Sequence, residues 1–160
     1  MGLDMNVYRR RYLSDHRNEE KKIKDAIEKI AGMRPCYLEE DYIYWRKANQ
    51  IREWFVNNTS LEGESLKGDL SREDFERLLA DINKVLASTK LVPAKIKNGK
   101  TLEGGKWVDI LEDGEKLEDS SVAEEVLPTS AGFFFGSQGY DQYYWEDLDE
   151  TKKNIEKLLK

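Results

Sequence analysis

Residues 71–119 constrain the fold of this chain more than any other segment, because an amphipathic helix pattern is followed directly by short strands that are separated by turns. From Ser71 onward, apolar residues recur every three or four positions, which is the period of a helix with one buried face. Asp74 follows three residues later and approximates a capping box with Ser71. Between residues 91 and 119, short apolar runs are separated by Asn98-Gly99 and Asp113-Gly114, which are strong hairpin signals. This order predicts a helix followed by a β-hairpin or meander, inserted at about 91–119.

The rest of the chain alternates between the same two periods. Residues 3–7 alternate apolar and polar side chains and predict a strand with one buried face, and the bulky run at 132–136 predicts another. Helices are predicted at about 15–31, 41–57, 71–86, 120–126 and 141–159. The apolar residues of the first helix, Ile23, Ala26, Ile27 and Ile30, fall at helical spacing, and glutamate and lysine occupy its other faces. The sequence therefore predicts a single domain, residues 1–160, of the α+β class, with three to four main helices packed with a small antiparallel sheet.

Charge and cysteine content indicate the compartment and exclude some partners. The 160 residues carry a formal net charge of −6, which argues against non-specific binding to nucleic acid or to anionic membranes. Cys36 is the single cysteine and has no internal disulfide partner, which is typical of a reducing compartment. No apolar run approaches the ~18 residues of a membrane span. We expect a soluble, cytoplasmic protein without signal peptide or lipid anchor.

Residues for nucleophilic or metal chemistry are scarce. His16 and Cys36 are the only histidine and cysteine, whereas a zinc site needs about four nitrogen or sulfur ligands. The chain has neither a Gly-x-Gly-x-x-Gly pattern nor a Walker-type lysine loop. Glu40, Glu146 and Asp147 lie in acidic clusters suited to metal binding or acid–base catalysis, although acids at helix starts also stabilise the helix dipole. The sequence predicts no catalytic residue, no metal and no cofactor.

The segment from Tyr42 to Trp54 is the first candidate binding surface. On the predicted helix, Arg46 and Asn49 lie on one side, beside tyrosine and tryptophan rings. A planar guanidinium among such rings holds a phosphate, a carboxylate or a base through paired hydrogen bonds and stacking. The alternative is an aromatic core in which Arg46 pairs with a carboxylate of another helix. The candidate residues from this segment are Tyr44, Trp45, Arg46, Lys47, Asn49 and Trp54.

The second candidate surface is the glycine- and aromatic-rich stretch from Leu127 to Trp145. Glycines on both sides of three consecutive phenylalanines allow a ligand or another backbone to approach closely. Tyrosine and tryptophan side chains are frequent anchors of binding sites. Core packing is the alternative, with Ser137 or Asp141 capping the last helix. The candidate residues from this stretch are Phe134, Ser137, Tyr140 and Asp141.

These segments also carry a resemblance to a known family. Its motifs here are the opening Met-Gly-Leu-Asp-Met, the Tyr-Trp-Arg-Lys-Ala-Asn run at 44–49, and the Pro-Thr-x-x-Gly-Phe-Phe-Phe-Gly-Ser stretch at 128–137 followed by Tyr140-Asp141. The chain resembles a family of small uncharacterised proteins found in bacteriophages, prophages and their hosts. The resemblance covers most of the chain. It implies a phage context and a location in the bacterial host cytoplasm, but it brings no established activity.

Together these observations favour binding over catalysis. The hypothesis is a non-enzymatic phage accessory protein that counters host defence, either by inhibiting a host immune protein such as a CRISPR effector or by sequestering a nucleotide signal. Expected contacts to such a nucleotide are phosphate or base bonds from Arg46, Lys47 and Asn49 and stacking by Tyr44, Trp45 or Phe134. One alternative is a carboxylate- or metal-dependent enzyme acting on a nucleotide or nucleic acid. Another is a structural or assembly protein of the virion, for example a homo-oligomer.

Overall fold

The computed structural model describes residues 3–61, 66–132 and 135–160. Its elements in chain order are β1 (Asp4–Tyr12), α1 (Asn18–Ala31), β2 (Tyr37–Arg46), α2 (Asn49–Asn58), α3 (Arg72–Ser88), β3 (Leu91–Glu103), β4 (Lys106–Leu117), α4 (Ser121–Val126) and α5 (Gln142–Leu159). Two antiparallel two-stranded sheets, β1–β2 and β3–β4, accompany the helices, which confirms the predicted α+β class. Within the described ranges, every helix is too short or too polar to cross a membrane.

The chain divides into two compact units, one of residues 6–44 and one of the remaining described residues. In the smaller unit, α1 buries a polar face. Lys24 Nζ donates to the carbonyl of Leu13 at 3.2 Å and to Asp15 Oδ2 at 2.9 Å. Glu20, one helical turn earlier on α1, is also buried. The apolar residues at helical spacing on α1 are only partly covered, since Ile23 and Ile27 are half-buried, Ala26 is exposed and Ile30 is 86% exposed. The prediction of a single domain stays a prediction.

The larger unit is organised around α2, α3 and α5. Helix α3 begins at the predicted capping box, in which the Ser71 hydroxyl oxygen accepts the N–H of Asp74 and the Asp74 carboxylate accepts the N–H of Ser71. Helices α3 and α5 pack against each other. The fully buried side chains of the three helices include Ile51, Trp54, Leu78, Ile82, Leu148 and Ile155. Burial of each large apolar side chain stabilises the unit by roughly 1.5–3 kcal/mol, and this core supports the candidate site.

The predicted β-hairpin or meander is a hairpin, formed by the long strands β3 and β4. Its two-residue turn is Gly104-Gly105, where both residues have positive φ (55° and 79°), as a type I′ hairpin turn requires. Asn98-Gly99 lies instead at a register shift between Lys97 and Lys100, which is a β-bulge. Gly114 lies inside β4, and a Cβ at this position would come within 2.5 Å of the Ile96 side chain. Both of the predicted turn signals therefore serve a bulge and a close contact rather than a turn.

The helix predicted at 41–57 is wrong in its first part, because residues 41–46 belong to β2 and α2 begins only at Asn49. Alternate burial of Ile43 and Trp45 with exposure of Tyr44 at 54% shows the period of a strand. The predicted strand at 132–136 is also wrong at its described positions, since Gly132, Phe135 and Gly136 have no regular secondary structure. The Phe135 N–H donates to Gly132 O at 3.2 Å, as in a turn. Phe133 and Phe134 lie outside the described residues.

Candidate functional site

The larger unit contains a cleft of about 1150 Å³ between the start of α2, the β3–β4 hairpin, the loop before α5 and the first turns of α5. We call this the hairpin cleft. Small-molecule sites in proteins commonly have volumes of about 300–1,000 Å³, so the cleft accommodates a ligand of that class. Its most distinctive feature is a set of five basic side chains, Arg46, Lys47, Lys95, Lys97 and Lys116.

Three of these five cations have no ion-pair partner in the part of the chain that the structure describes. Lys95 pairs with Asp113 at 2.6 Å, and Lys97 pairs with Asp109 at 2.7 Å, both across the hairpin. Within residues 3–61, 66–132 and 135–160, no carboxylate lies within ion-pair distance of Arg46, Lys47 or Lys116. An exposed cation that is not neutralised inside the protein retains its attraction for an external anion. The alternative considered from the sequence was that Arg46 pairs with a carboxylate of another helix. The described residues contain no such ion pair.

Lys47 is held in an unusual backbone conformation at the edge of the cleft. Its φ is 63°, in the left-handed region that residues with a side chain seldom adopt. The Lys47 N–H donates to Leu3 O at 2.7 Å, and the Lys47 carbonyl accepts the N–H of Asn49 at 2.9 Å. A Cβ added at Gly136 would lie 3.0 Å from the Lys47 Cβ. The two sequence motifs are thus in backbone contact, and the strained turn directs the chain from β2 into α2.

The Asn49 amide joins the two motifs. It is buried, its Nδ2 donates to Phe135 O at 3.1 Å and to Ser137 O at 2.8 Å, and its Oδ1 accepts the N–H of Ser130 at 2.8 Å. Three backbone groups of the loop before α5 are satisfied by one side chain at the first position of α2. Asn49 was predicted as a ligand contact, but here its amide positions the loop that forms one wall of the hairpin cleft.

Three tyrosines lie at the α5 side of the cleft, and they differ in their availability. Tyr144 is buried, and its hydroxyl donates to Leu127 O at 2.9 Å. Tyr140 packs edge-on against Tyr144, with ring centroids 5.0 Å apart, and its hydroxyl accepts the N–H of Thr129 at 3.2 Å. Tyr143 is 43% exposed. Its ring is therefore the one most open to stacking against a ligand.

Two carboxylates at this side of the cleft have different functions. Asp141 caps α5, since its Oδ1 accepts the N–H groups of Tyr143 and Tyr144, and burial raises the pKa of its carboxyl. The sequence-based alternative that Asp141 caps the last helix is therefore confirmed. Asp147 lies one to two turns further along α5, and burial raises its pKa to about 6, although the hydrogen bond from Gln50 Nε2, at 2.9 Å, acts in the opposite direction. A perturbed carboxyl in a cleft is a common property of functional sites.

The ten predicted site residues divide into three groups. Five of them line the hairpin cleft: Arg46, Lys47, Ser137, Tyr140 and Asp141. Four others do not line it: Tyr44, Trp45, Asn49 and Trp54. Phe134 lies outside the described residues. The two tryptophans follow the core alternative, because both are buried and their indole N–H groups donate to Thr151 Oγ1 at 2.7 Å and to Asp81 Oδ2 at 2.8 Å, respectively.

Sequence reasoning missed several cleft residues. These are Gln50, Lys95, Lys97, Lys116 and Tyr143 as binding residues, and Asp147, which was considered only for catalysis. The three lysines come together through the pairing of β3 with β4, and the register of that pairing cannot be read from the sequence. Among the acids of the catalytic alternative, Glu146 is exposed, and Glu40 pairs with Arg9 at 3.4 Å in the smaller unit. Among the described residues, no group of three histidine, cysteine or acidic side chains is arranged to hold a metal ion.

Comparisons with protein-family models, with curated proteins and with solved structures give no match to this chain.

Proposed function

We propose that this protein binds an anionic, nucleotide-sized ligand in the hairpin cleft and does not transform it. In the phage context implied by the sequence motifs, such a protein would sequester a nucleotide signal and so counter host defence. The observation that carries the proposal is a set of three cleft cations that have no ion-pair partner among the described residues, Arg46, Lys47 and Lys116.

The three cations are held in place for binding an anion before any ligand arrives. Hydrogen bonds to charged groups contribute about 1.5–3 kcal/mol each, roughly twice the contribution of neutral ones. Arg46 and Lys47 precede the well-packed α2, and Lys116 lies near the end of β4, where the Leu117 N–H donates to Tyr140 O at 2.9 Å. Because packed elements hold the backbone of these residues, little further ordering is needed when a phosphate binds.

The shape of the site favours a small ligand over a protein partner. Protein–protein interfaces are mostly broad surfaces with exposed anchors, whereas small ligands occupy concave sites with a few convergent polar groups. The hairpin cleft is concave, and the exposed Tyr143 ring lies at its edge. Inhibition of a host immune protein, such as a CRISPR effector, remains the alternative outcome of the test below.

The test combines native mass spectrometry of the protein from its bacterial host with direct binding measurements. Arg46→Ala/Lys116→Ala removes two cleft cations, and Lys84→Ala/Lys106→Ala removes two exposed cations that do not line the cleft. We expect a co-purifying nucleotide-sized mass, and an affinity that falls about tenfold or more in the cleft variant only. Equal affinities of the two variants, or no small ligand and capture of a host protein by both, would refute the proposal.

Asp147 supports a second candidate, a nucleotide-processing enzyme. A carboxyl with a pKa of about 6 is suited to general acid–base catalysis near neutral pH. Incubation of the protein with nucleotides, followed by chromatography, separates the two candidates. Intact nucleotides indicate a binding protein, whereas products that disappear with Asp147→Asn indicate an enzyme.

A further inference from the structure

We infer that the ligand of the hairpin cleft carries a guanine base and that the Asp147 carboxylate recognises it. This inference rests on the proposed nucleotide-binding function and adds the identity of the base to it.

The geometry of Asp147 leaves one carboxylate oxygen available. Its Oδ2 accepts the hydrogen bond from Gln50 Nε2 at 2.9 Å, and both residues line the cleft. Within the described residues, Oδ1 has no hydrogen-bond partner, and every side-chain nitrogen or oxygen that is fully buried there does have one. Asp147 Oδ1 is therefore open rather than enclosed, and Oδ2 retains a second lone pair.

Gln50 fixes the orientation of this carboxylate. It lies in the first turn of α2 and is almost fully buried, so its amide cannot rotate freely. A carboxylate held by a packed neighbour presents its acceptor oxygens in a constant direction, which is what specific recognition of a planar base requires. Glu146 and Glu150 on the same helix are, in contrast, exposed to solvent.

The chemistry of the bases then selects among nucleotides. An ionised carboxylate only accepts hydrogen bonds, and its two oxygens match two adjacent N–H donors. Guanine presents such a pair, N1–H and the N2 amino group, on its Watson–Crick edge. Adenine and cytosine each present one amino donor beside a ring-nitrogen acceptor, which the second carboxylate oxygen would repel. Hypoxanthine retains the N1–H but lacks the amino group, so it should bind less well than guanine.

The charged groups that act on Asp147 are other carboxylates. Besides burial, Glu150, Glu146 and Asp141 on the same helix raise its pKa, and the Gln50 amide faces it from α2. At pH 8 the Asp147 carboxylate is ionised, because its pKa of about 6 is lower.

The test is a set of dissociation constants at pH 8 for GMP, IMP, AMP and CMP with the full chain. We expect GMP to bind about tenfold to a hundredfold more tightly than AMP and CMP, with IMP between them, since a good bidentate contact discriminates by that amount. Asp147→Asn should abolish the preference. Glu146→Gln is the matched control, because it removes the same charge one residue away on an exposed side chain that does not line the cleft.

The outcomes separate this inference from the proposed function. Equal affinities for GMP and AMP in the unmodified protein overturn the guanine assignment, whatever the variants do. Retention of the guanine preference in Asp147→Asn overturns the role of this carboxylate. If Arg46→Ala/Lys116→Ala weakens all four nucleotides alike and no base is preferred, the proposed function stands while the guanine inference fails. If none of the four binds at millimolar concentration and no nucleotide co-purifies, both fail.

Discussion

The Asn49 side chain provides the most direct test of how the site is held together. Asn49→Ala deletes one amide and leaves three backbone groups of the loop before α5 without their partner: Phe135 O, Ser137 O and the Ser130 N–H. Since Asn49 is buried, water cannot readily replace the lost hydrogen bonds.

The size of the effect follows from these contacts. A typical intramolecular hydrogen bond contributes a net 0.5–1.5 kcal/mol, and a buried group left unsatisfied costs about 1–3 kcal/mol. Because the loop can relax toward solvent, we expect the free energy of unfolding to fall by about 2–5 kcal/mol, a large part of the ~5–15 kcal/mol typical of a domain. Asn49→Asp should be at least as harmful at pH 7, because a carboxylate oxygen would then face the carbonyls of Phe135 and Ser137.

The assay is urea unfolding followed by the fluorescence of the buried Trp45 and Trp54. Asn57→Ala is the matched control, since Asn57 lies on the same helix and its exposed amide donates to Glu53 Oε1 at 3.3 Å. We expect this control to change the free energy of unfolding by no more than about 0.5 kcal/mol. A loss below about 1 kcal/mol for Asn49→Ala would refute the bracing role and restore Asn49 as a candidate ligand contact.

Two further perturbations test the pH response of the site and the turn of the hairpin. Burial raises the folded-state pKa of Asp147 to about 6, above the ordinary aspartate value of about 3.8, so the folded state loses stability as pH rises through that window. A shift of one pKa unit corresponds to about 1.4 kcal/mol, so with an allowance for partial exposure Asp147→Asn should stabilise the protein at pH 8 by about 1–3 kcal/mol and have no effect near pH 3. Thermal melts at both pH values measure this difference. Destabilisation of the variant at pH 8 would contradict the prediction. Gly104→Ala should destabilise the hairpin by about 1 kcal/mol, because φ is +55°, whereas Gly104→Asn should be close to neutral. Equal losses for the alanine and asparagine variants in urea unfolding would exclude the left-handed turn as the cause.

Local sequence signals determined those elements whose stabilising contacts are themselves local. The Ser71–Asp74 capping box joins residues three positions apart, and the helix it begins was predicted almost to the residue. The cap of α5 by Asp141 is equally short in range. Such contacts depend on neighbours along the chain, so they are present in the sequence before any tertiary structure forms.

Predictions failed where two local patterns are degenerate. Residues 41–46 satisfy both helix and strand periods over a short span, and pairing with β1 decides for a strand. Asn98-Gly99 and Asp113-Gly114 are strong turn signals, yet the hairpin turns at Gly104-Gly105, because the cross-strand register needs a bulge at the first site and a close approach to Ile96 near the second.

The sequence by itself determined the fold class and the two motifs from which half of the cleft is built. Arg46 and Lys47 come from one motif, and Tyr140 and Asp141 come from the other. Only the tertiary structure decided that Asn49 braces the loop and that Lys116 faces the same cleft as Arg46, 70 positions earlier in the chain. The physical reason is that burial, hydrogen-bond partners and the meeting of distant charges depend on strand register and helix packing, which no local pattern encodes.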